Sequence, residues 1–406
     1  MQAVSGRLFA LAVAVLLAGS LAFPQESKPI VAANAGLVEA SSVTPEAFPI
    51  YVNWLNKNGK APIAYMVEKA KQHQVVFLGE YHMKSDFLQL LNRAIPELYR
   101  AAGVRVIALE VCNAEDDQKL TKLVNGSSYD RALALEIARS ENWEIWGYKD
   151  YWDILEAAWR LNHSLPKKAE RMRVIGVDKR MDFQLDSLWR SKLLTDEALI
   201  EKAKNQPDIY KRDDWMVQAI EDGIIRPGLK GVVLIGMNHS FTKYAQPSVK
   251  EGKLTKTWAR TANVLHQKYG DKIFQIAAHG EQMRPEVADP SYKGTGPVLP
   301  DLIEKIMAAR GNQPVGFDVE GSPFARLRDS DSYYFRWQPE VSLADVNQGL
   351  IFLKPMKDLA STPWVDGFIS EEMFKKSKVY YETTYQRKFN NAKEVDDFFK
   401  AALATP

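Results

Sequence analysis

The sequence predicts an α/β fold: a central, largely parallel β-sheet flanked by helices, with a helical insertion. Seven short apolar runs rich in β-branched residues recur along the chain, and amphipathic patterns of helical spacing separate them. Near-continuous apolar runs suit strands buried on both faces, and strand–helix alternation argues for parallel pairing. The runs are 75–78 (VVFL), 104–109 (VRVIAL), 173–177 (RVIGV), 232–235 (VVLI), 272–278 (KIFQIAA), 314–319 (PVGFDV) and 350–353 (LIFL). Asp86 is placed to cap a helix that stops at Gly103, and Pro96 predicts a kink within it. Residues 151–162 (YWDILEAAWRLN) are strongly amphipathic, and 257–269 and 299–310 also have helical spacing. Residues 181–227 are helical and charged, as in an insertion or cap. The aromatic segment from 361 onwards has no clear place.

Arg7 precedes an apolar stretch over 8–23, near whose end Ser20 and Ala22 form a small-x-small pair. That pattern is a secretory signal peptide over 1–22, followed by a polar linker over 23–43 and one α/β domain over 44–406. Cys112 is the only cysteine, so no intrachain disulfide forms, and no cysteine after the apolar stretch is available for a lipid anchor. These features describe a bacterial periplasmic or secreted protein with no stable membrane anchor after signal cleavage. The net charge is +2, with no basic run flanked by aromatics. Nothing in that balance points to nucleic acid, which leaves a small molecule or a peptide as partner.

In open α/β sheets, ligands bind beyond the carboxyl ends of the strands. The first polar residues after each run are therefore the candidates. The run at 75–78 leads into GEYH (79–82), the run at 104–109 into Glu110, and the run at 232–235 into GMNH (236–239). In each Gly-x-x-His, glycine is read as tolerating the positive φ of a sharp turn, after which the histidine reaches back over the sheet edge. His82 and His239 then serve as metal ligands or general bases, and Glu80 and Glu110 complete the set or orient the imidazoles. With no thiolate at hand, a metal on His82, Glu110 and His239 would be zinc, manganese or a similar ion. Asp178, His279 and Asp318 also follow strands and rank second. Tyr81 offers a phenolate that could ligate haem iron.

The order VVFLGEYH, then VRVIALEV, then GVVLIGMNHS resembles the superfamily of Tiki/TraB proteins, erythromycin-esterase-like proteins and ChaN-type haem-binding lipoproteins. The Trp/Tyr-rich helix and VIGVD strand between Glu141 and Asp178 resemble the esterase-like branch. The likeness runs over about residues 45 to 360. It implies an α/β fold, and its branches imply three chemistries: metal-dependent proteolysis, ester hydrolysis through a histidine that activates water, and haem binding for iron uptake. The chain lacks the cysteine of the lipoproteins, and its first motif is shorter than the Gly-Glu-x-x-His of the esterases. The expected function is an exported hydrolase, metal-dependent, cleaving an ester or amide bond. A haem- or iron-binding protein and a non-catalytic scaffold are the alternatives.

Overall fold

The computed structural model describes residues 36–140, 146–280 and 298–403. All seven apolar runs are strands of one sheet: β1 (Val75–Glu80), β2 (Val106–Asn113), β3 (Arg173–Asp178), β4 (Gly231–Gly236), β5 (Ile273–Ala278), β6 (Val315–Asp318) and β7 (Gly349–Phe352). Their order across the sheet is β3-β2-β4-β1-β5-β7-β6. Every pairing is parallel except β6 with β7.

The strands alternate between two apolar layers, as a period of two requires. Val76, Leu78, Ile107, Leu109, Val232 and Leu234 face one layer, covered by helices Pro62–Gln72, Ser85–Ala102 and Lys149–Ser164. Val75, Phe77, Val106, Ala108, Val233 and Ile235 face the other, against helices Arg212–Ile220 and Thr261–Tyr269. Both faces are therefore largely apolar, with Gln275 of β5 a buried exception that binds Asn347 and Gln348.

Several expectations change. Asp86 is not the cap of Ser85–Ala102; it lies in the first turn, where it accepts from Ala360 N at 2.7 Å and pairs with Lys354. A carboxylate there faces the positive helix end. The helix ends at Gly103 with φ 73°. The reading of a linker up to residue 43 runs too far, because Val38–Glu39 pairs in parallel with Leu327–Arg328. The antiparallel hairpin Gln246–Lys250 and Lys253–Trp258 was not foreseen. Its turn carries Glu251 and Gly252 at positive φ, the signature of a tight hairpin. Residues 183–225 hold helices Phe183–Arg190, Glu197–Lys204 and Arg212–Ile220 and a π-turn.

The C-terminal segment, which the sequence left unplaced, forms a strap and two helices, Glu371–Thr384 and Ala392–Leu403. The strap makes bridges between Ser361 and Lys84 and between Trp364 and Tyr148. The expected signal peptide over 1–22 lies outside the described residues. Among those described, no helix is long and apolar enough to cross a membrane.

Candidate functional site

The carboxyl ends of β3, β2, β4 and β1, four neighbours in the sheet, bring Asp178, Glu110, the GMNH turn and Glu80 with His82 to one edge. Glu110 lies within a register shift of β2 against β3 between Leu109 and Asn113. Such an irregularity re-aims the side chains it carries.

Glu80 is buried at the end of β1, and its Oε1 lies 2.5 Å from His82 Nδ1. Tyr151 from helix Lys149–Ser164 donates its hydroxyl to the same oxygen at 3.1 Å. The His82 ring meets the edge of Trp146 at 5.4 Å between centroids. The motif glycines do not act through positive φ. Gly236 has φ −55°, and the positive φ of the first motif falls instead on Met83, at 68°. What these glycines supply is room. A Cβ on Gly236 would lie 2.9 Å from His82 Cε1 and Nε2, and one on Gly79 would lie 2.2 Å from Ser240 Oγ. Each motif thus vacates the space that the other fills.

Glu110 sits between the two histidines. Its Oε2 accepts from Gly236 N at 2.5 Å and its Oε1 from Arg212 Nη2 at 2.8 Å. Arg212 also holds Asp178, through Nε at 2.6 Å and through Nη2. His239 Nδ1 pairs with Asp213 Oδ1 at 2.7 Å. Asp213 is held in turn by Arg260 Nε and by the amide and hydroxyl of Thr261. Arg260 Nη2 is 3.0 and 2.9 Å from the two nitrogens of His239, so it lies over the ring rather than in its plane. Arg260 stacks on Trp258 of the hairpin, 4.3 Å from the ring centroid.

These surroundings drive the two imidazoles apart. Burial pushes His82 down, but the Glu80 carboxylate, with Glu110 beyond it, outweighs burial, and the pKa ends above 6.5. Burial also lowers His239, Arg260 lowers it further, and Asp213 only partly opposes them. Burial would raise Glu110, yet Arg212 and the two histidines hold it down to about 2. Asp213 falls well below the carboxylate range: Arg260 and His239 overcome its burial. Opposed shifts in neighbouring groups are the arrangement that separates acid and base roles.

The Glu110 shift has a testable sign. A carboxyl lowered from 4.5 to about 2 stabilises the fold fully above 4.5, and that contribution is lost as pH falls toward 2. Its size is on the order of 3 kcal/mol. In urea unfolding, Glu110→Gln should therefore show a shallower loss of stability over that window than the unaltered chain.

The three residues assigned as metal ligands do come together, but their donor atoms do not suit a cation. Both Glu110 oxygens and His239 Nδ1 are engaged, and Arg212 Nη1 faces His239 Nε2 at 3.4 Å. Of the nitrogens and oxygens proposed as ligands, only His82 Nε2 has no such contact among the described residues. No group of three or more His, Cys, Asp or Glu among them is arranged to hold a metal ion. Two guanidinium groups stand where the positive charge of a metal would be needed.

The remaining candidates disperse. Asp178, ranked second, belongs to the site through Arg212. His279 ends β5 on the same sheet edge but pairs with Glu304 at 2.8 Å. Asp318 lies at the opposite edge, because β6 runs antiparallel and Asp318 pairs with Gly349 at the start of β7. There it binds Tyr65 at 2.7 Å and Lys69 at 2.6 Å. Tyr81 is 2% exposed and packs against Gly280, so it presents no open face to a porphyrin. Arg212, Asp213, Arg260 and Tyr151 were missed. The charged KRDD stretch at 211–214 was the one visible signal for the first two.

Residues 66–178 match the family model described as haem-binding uptake, Tiki superfamily, ChaN. That stretch holds Glu80, His82, Glu110, Tyr151 and Asp178, but not His239 or the arginines. Among solved structures, a succinoglycan biosynthesis protein is similar at a TM-score of 0.51 and 10% identity, over 77% of this chain and 98% of that one. An erythromycin esterase in its open conformation is similar at 0.45 and 14%, over 71% and 92%. ChaN of Campylobacter jejuni, from a structure of cofacial haem binding, is similar at 0.33 and 14%, over 52% and 84%. The first likeness is one of fold, and the other two are looser still. No curated protein matches the chain.

Proposed function

We propose that the protein is an exported hydrolase that cleaves an ester or amide bond of a small molecule or peptide, using water activated by His82 and no metal. The observation that carries this reading is the Glu80–His82 pair. A carboxylate on Nδ1 fixes the proton there and leaves the Nε2 lone pair to take a proton from water. As water attacks the carbonyl carbon, its proton passes to Nε2. The same proton then goes to the departing alkoxide or amine as the carbon–heteroatom bond breaks. Arg212, held by buried Glu110 and Asp178, and Arg260, held by the part-buried Asp213, supply fixed positive charge for the oxyanion. Export rests on the apolar stretch over residues 8–23.

The test uses full chain purified without chelator and a panel of 4-nitrophenyl esters and peptides. Turnover should survive EDTA, and metal analysis should find no stoichiometric ion. Loss of turnover in EDTA with rescue by zinc would restore the metal-dependent reading. No turnover on any member of the panel would leave the scaffold alternative.

The pH profile adds a second test. Only neutral His82 accepts a proton, so activity should rise with pH through a limb above 6.5. In Glu80→Gln, burial is no longer opposed by the carboxylate, and the limb should move downward. An unmoved limb would remove Glu80 from the mechanism.

Haem binding is a second reading, supported by the family description over residues 66–178. It requires a ligand other than Tyr81 as that residue now lies. A haemin Soret shift that disappears in Tyr81→Phe would reverse the preference.

A further inference from the structure

The Glu80–His82 pair is held from behind by a closed ring of hydrogen bonds. The Tyr151 hydroxyl donates to Glu80 Oε1 and accepts from Met83 N, each at 3.1 Å. Met83 O accepts from Thr362 N at 3.0 Å. Thr362 Oγ1 accepts from Asp150 N at 3.0 Å, beside Tyr151 at the start of the same helix. Tyr151, Met83 and Thr362 are all buried, at 1%, 3% and 0% exposure.

Two features show what this ring has to hold. Met83 is not glycine, yet its φ is 68°. That conformation strains a side-chain-bearing residue and persists only when its neighbours enforce it. Here both of its peptide groups are tied, one to Tyr151 and one to the strap. In addition, Glu80 Oε2 is buried with no hydrogen-bond partner among the described residues. The carboxylate is therefore oriented through Oε1 alone, by His82 on one side and Tyr151 on the other.

We infer that Tyr151 is a positioning residue, whose hydroxyl fixes the Glu80 carboxylate and the turn after His82 so that His82 keeps its proton on Nδ1, and that Thr362 of the strap holds Tyr151 in place. The inference rests on the hydrolase reading only for its kinetic consequence; its tautomer consequence stands without it. Removing the hydroxyl frees the carboxylate to turn and leaves the Met83 amide unpaired. The ring of His82 then loses its single tautomer, and the attacking geometry loosens.

The test uses the full chain labelled with 15N-histidine. The chain has 6 histidines, and the His82 signals are identified by their loss in His82→Gln. Long-range 1H–15N spectra above the His82 titration should show one Nδ1–H tautomer in the unaltered protein and a mixture in Tyr151→Phe. On 4-nitrophenyl acetate, Tyr151→Phe should lower kcat about 10-fold or more with KM within about twofold. Thr362→Val should move both readouts the same way, and Thr362→Ser, which keeps the oxygen, should restore them. A single unchanged tautomer in a folded Tyr151→Phe overturns the inference. If that variant fails to fold, Thr362→Val decides by the same spectra. Absence of hydrolysis in the unaltered protein would sink the hydrolase reading, while the tautomer comparison would still decide the role of Tyr151.

Discussion

Replacing His82 with alanine should lower kcat by about 10²–10⁴-fold, the range ascribed to a positioned general base. His239→Ala should produce a comparable loss for a different reason. His82 carries the proton, whereas His239 pairs with Asp213 and lies under Arg260, so its loss unseats a charge proposed to face the oxyanion. The two variants should therefore differ in kind. Exogenous imidazole should restore some turnover in His82→Ala, where a cavity beside Trp146 and Gly236 replaces the ring, and none in His239→Ala. Circular dichroism and a thermal melt establish that each remains folded. Full turnover in both folded variants would end the hydrolase reading. Full turnover in His239→Ala alone would reduce the site to the Glu80–His82 pair.

The second large effect concerns stability. Arg212→Met should destabilise the fold by about 3–5 kcal/mol, the usual result of removing one partner from a buried ion pair. Arg212 serves Glu110 and Asp178 together, and both are almost fully buried. Its Cζ also lies 5.6 Å from the centre of the Phe183 ring, so the substitution keeps the apolar stem but loses the cation. Without it, the two carboxylates have raised folded pKa values. Their penalty is absent at pH below the unfolded value and grows as pH rises through the folded one. The variant should thus gain stability relative to the unaltered chain as pH is lowered toward 4.5. Arg212→Lys should fall between, because an ammonium keeps the charge but not the planar fork. Equal denaturant midpoints for Arg212→Met and the unaltered chain would mean that the pair contributes nothing net.

The sheet was legible because its strands are buried on both faces, which leaves uninterrupted apolar runs such as VVFL and VVLI. Glu80, His82, Glu110 and His239 were legible for a related reason: each is an early polar residue after such a run. Asp318 shows the limit of that rule. It also follows a run, but run and rule are blind to direction, and an antiparallel β6 delivers it to the wrong edge. Arg212, Asp213, Arg260 and Tyr151 reach the site from helix starts and from the foot of a hairpin. Positions of that kind carry no apolar period of their own. The motif glycines supply room rather than the positive φ the sequence suggested, and a requirement for empty space depends on what packs there from more than a hundred residues away.

That packing sets a schedule for the molecule. The site draws on residues 80 and 82, then 110, 178, 212 and 213, then 239 and 260, and its rear brace arrives only at Thr362. Contacts so distant along the chain close slowly and late. A folding chain therefore has the separate pieces of the site before it has the site. On the proposed reading, hydrolysis switches on as a last event of folding, and fragments ending before the strap stay silent.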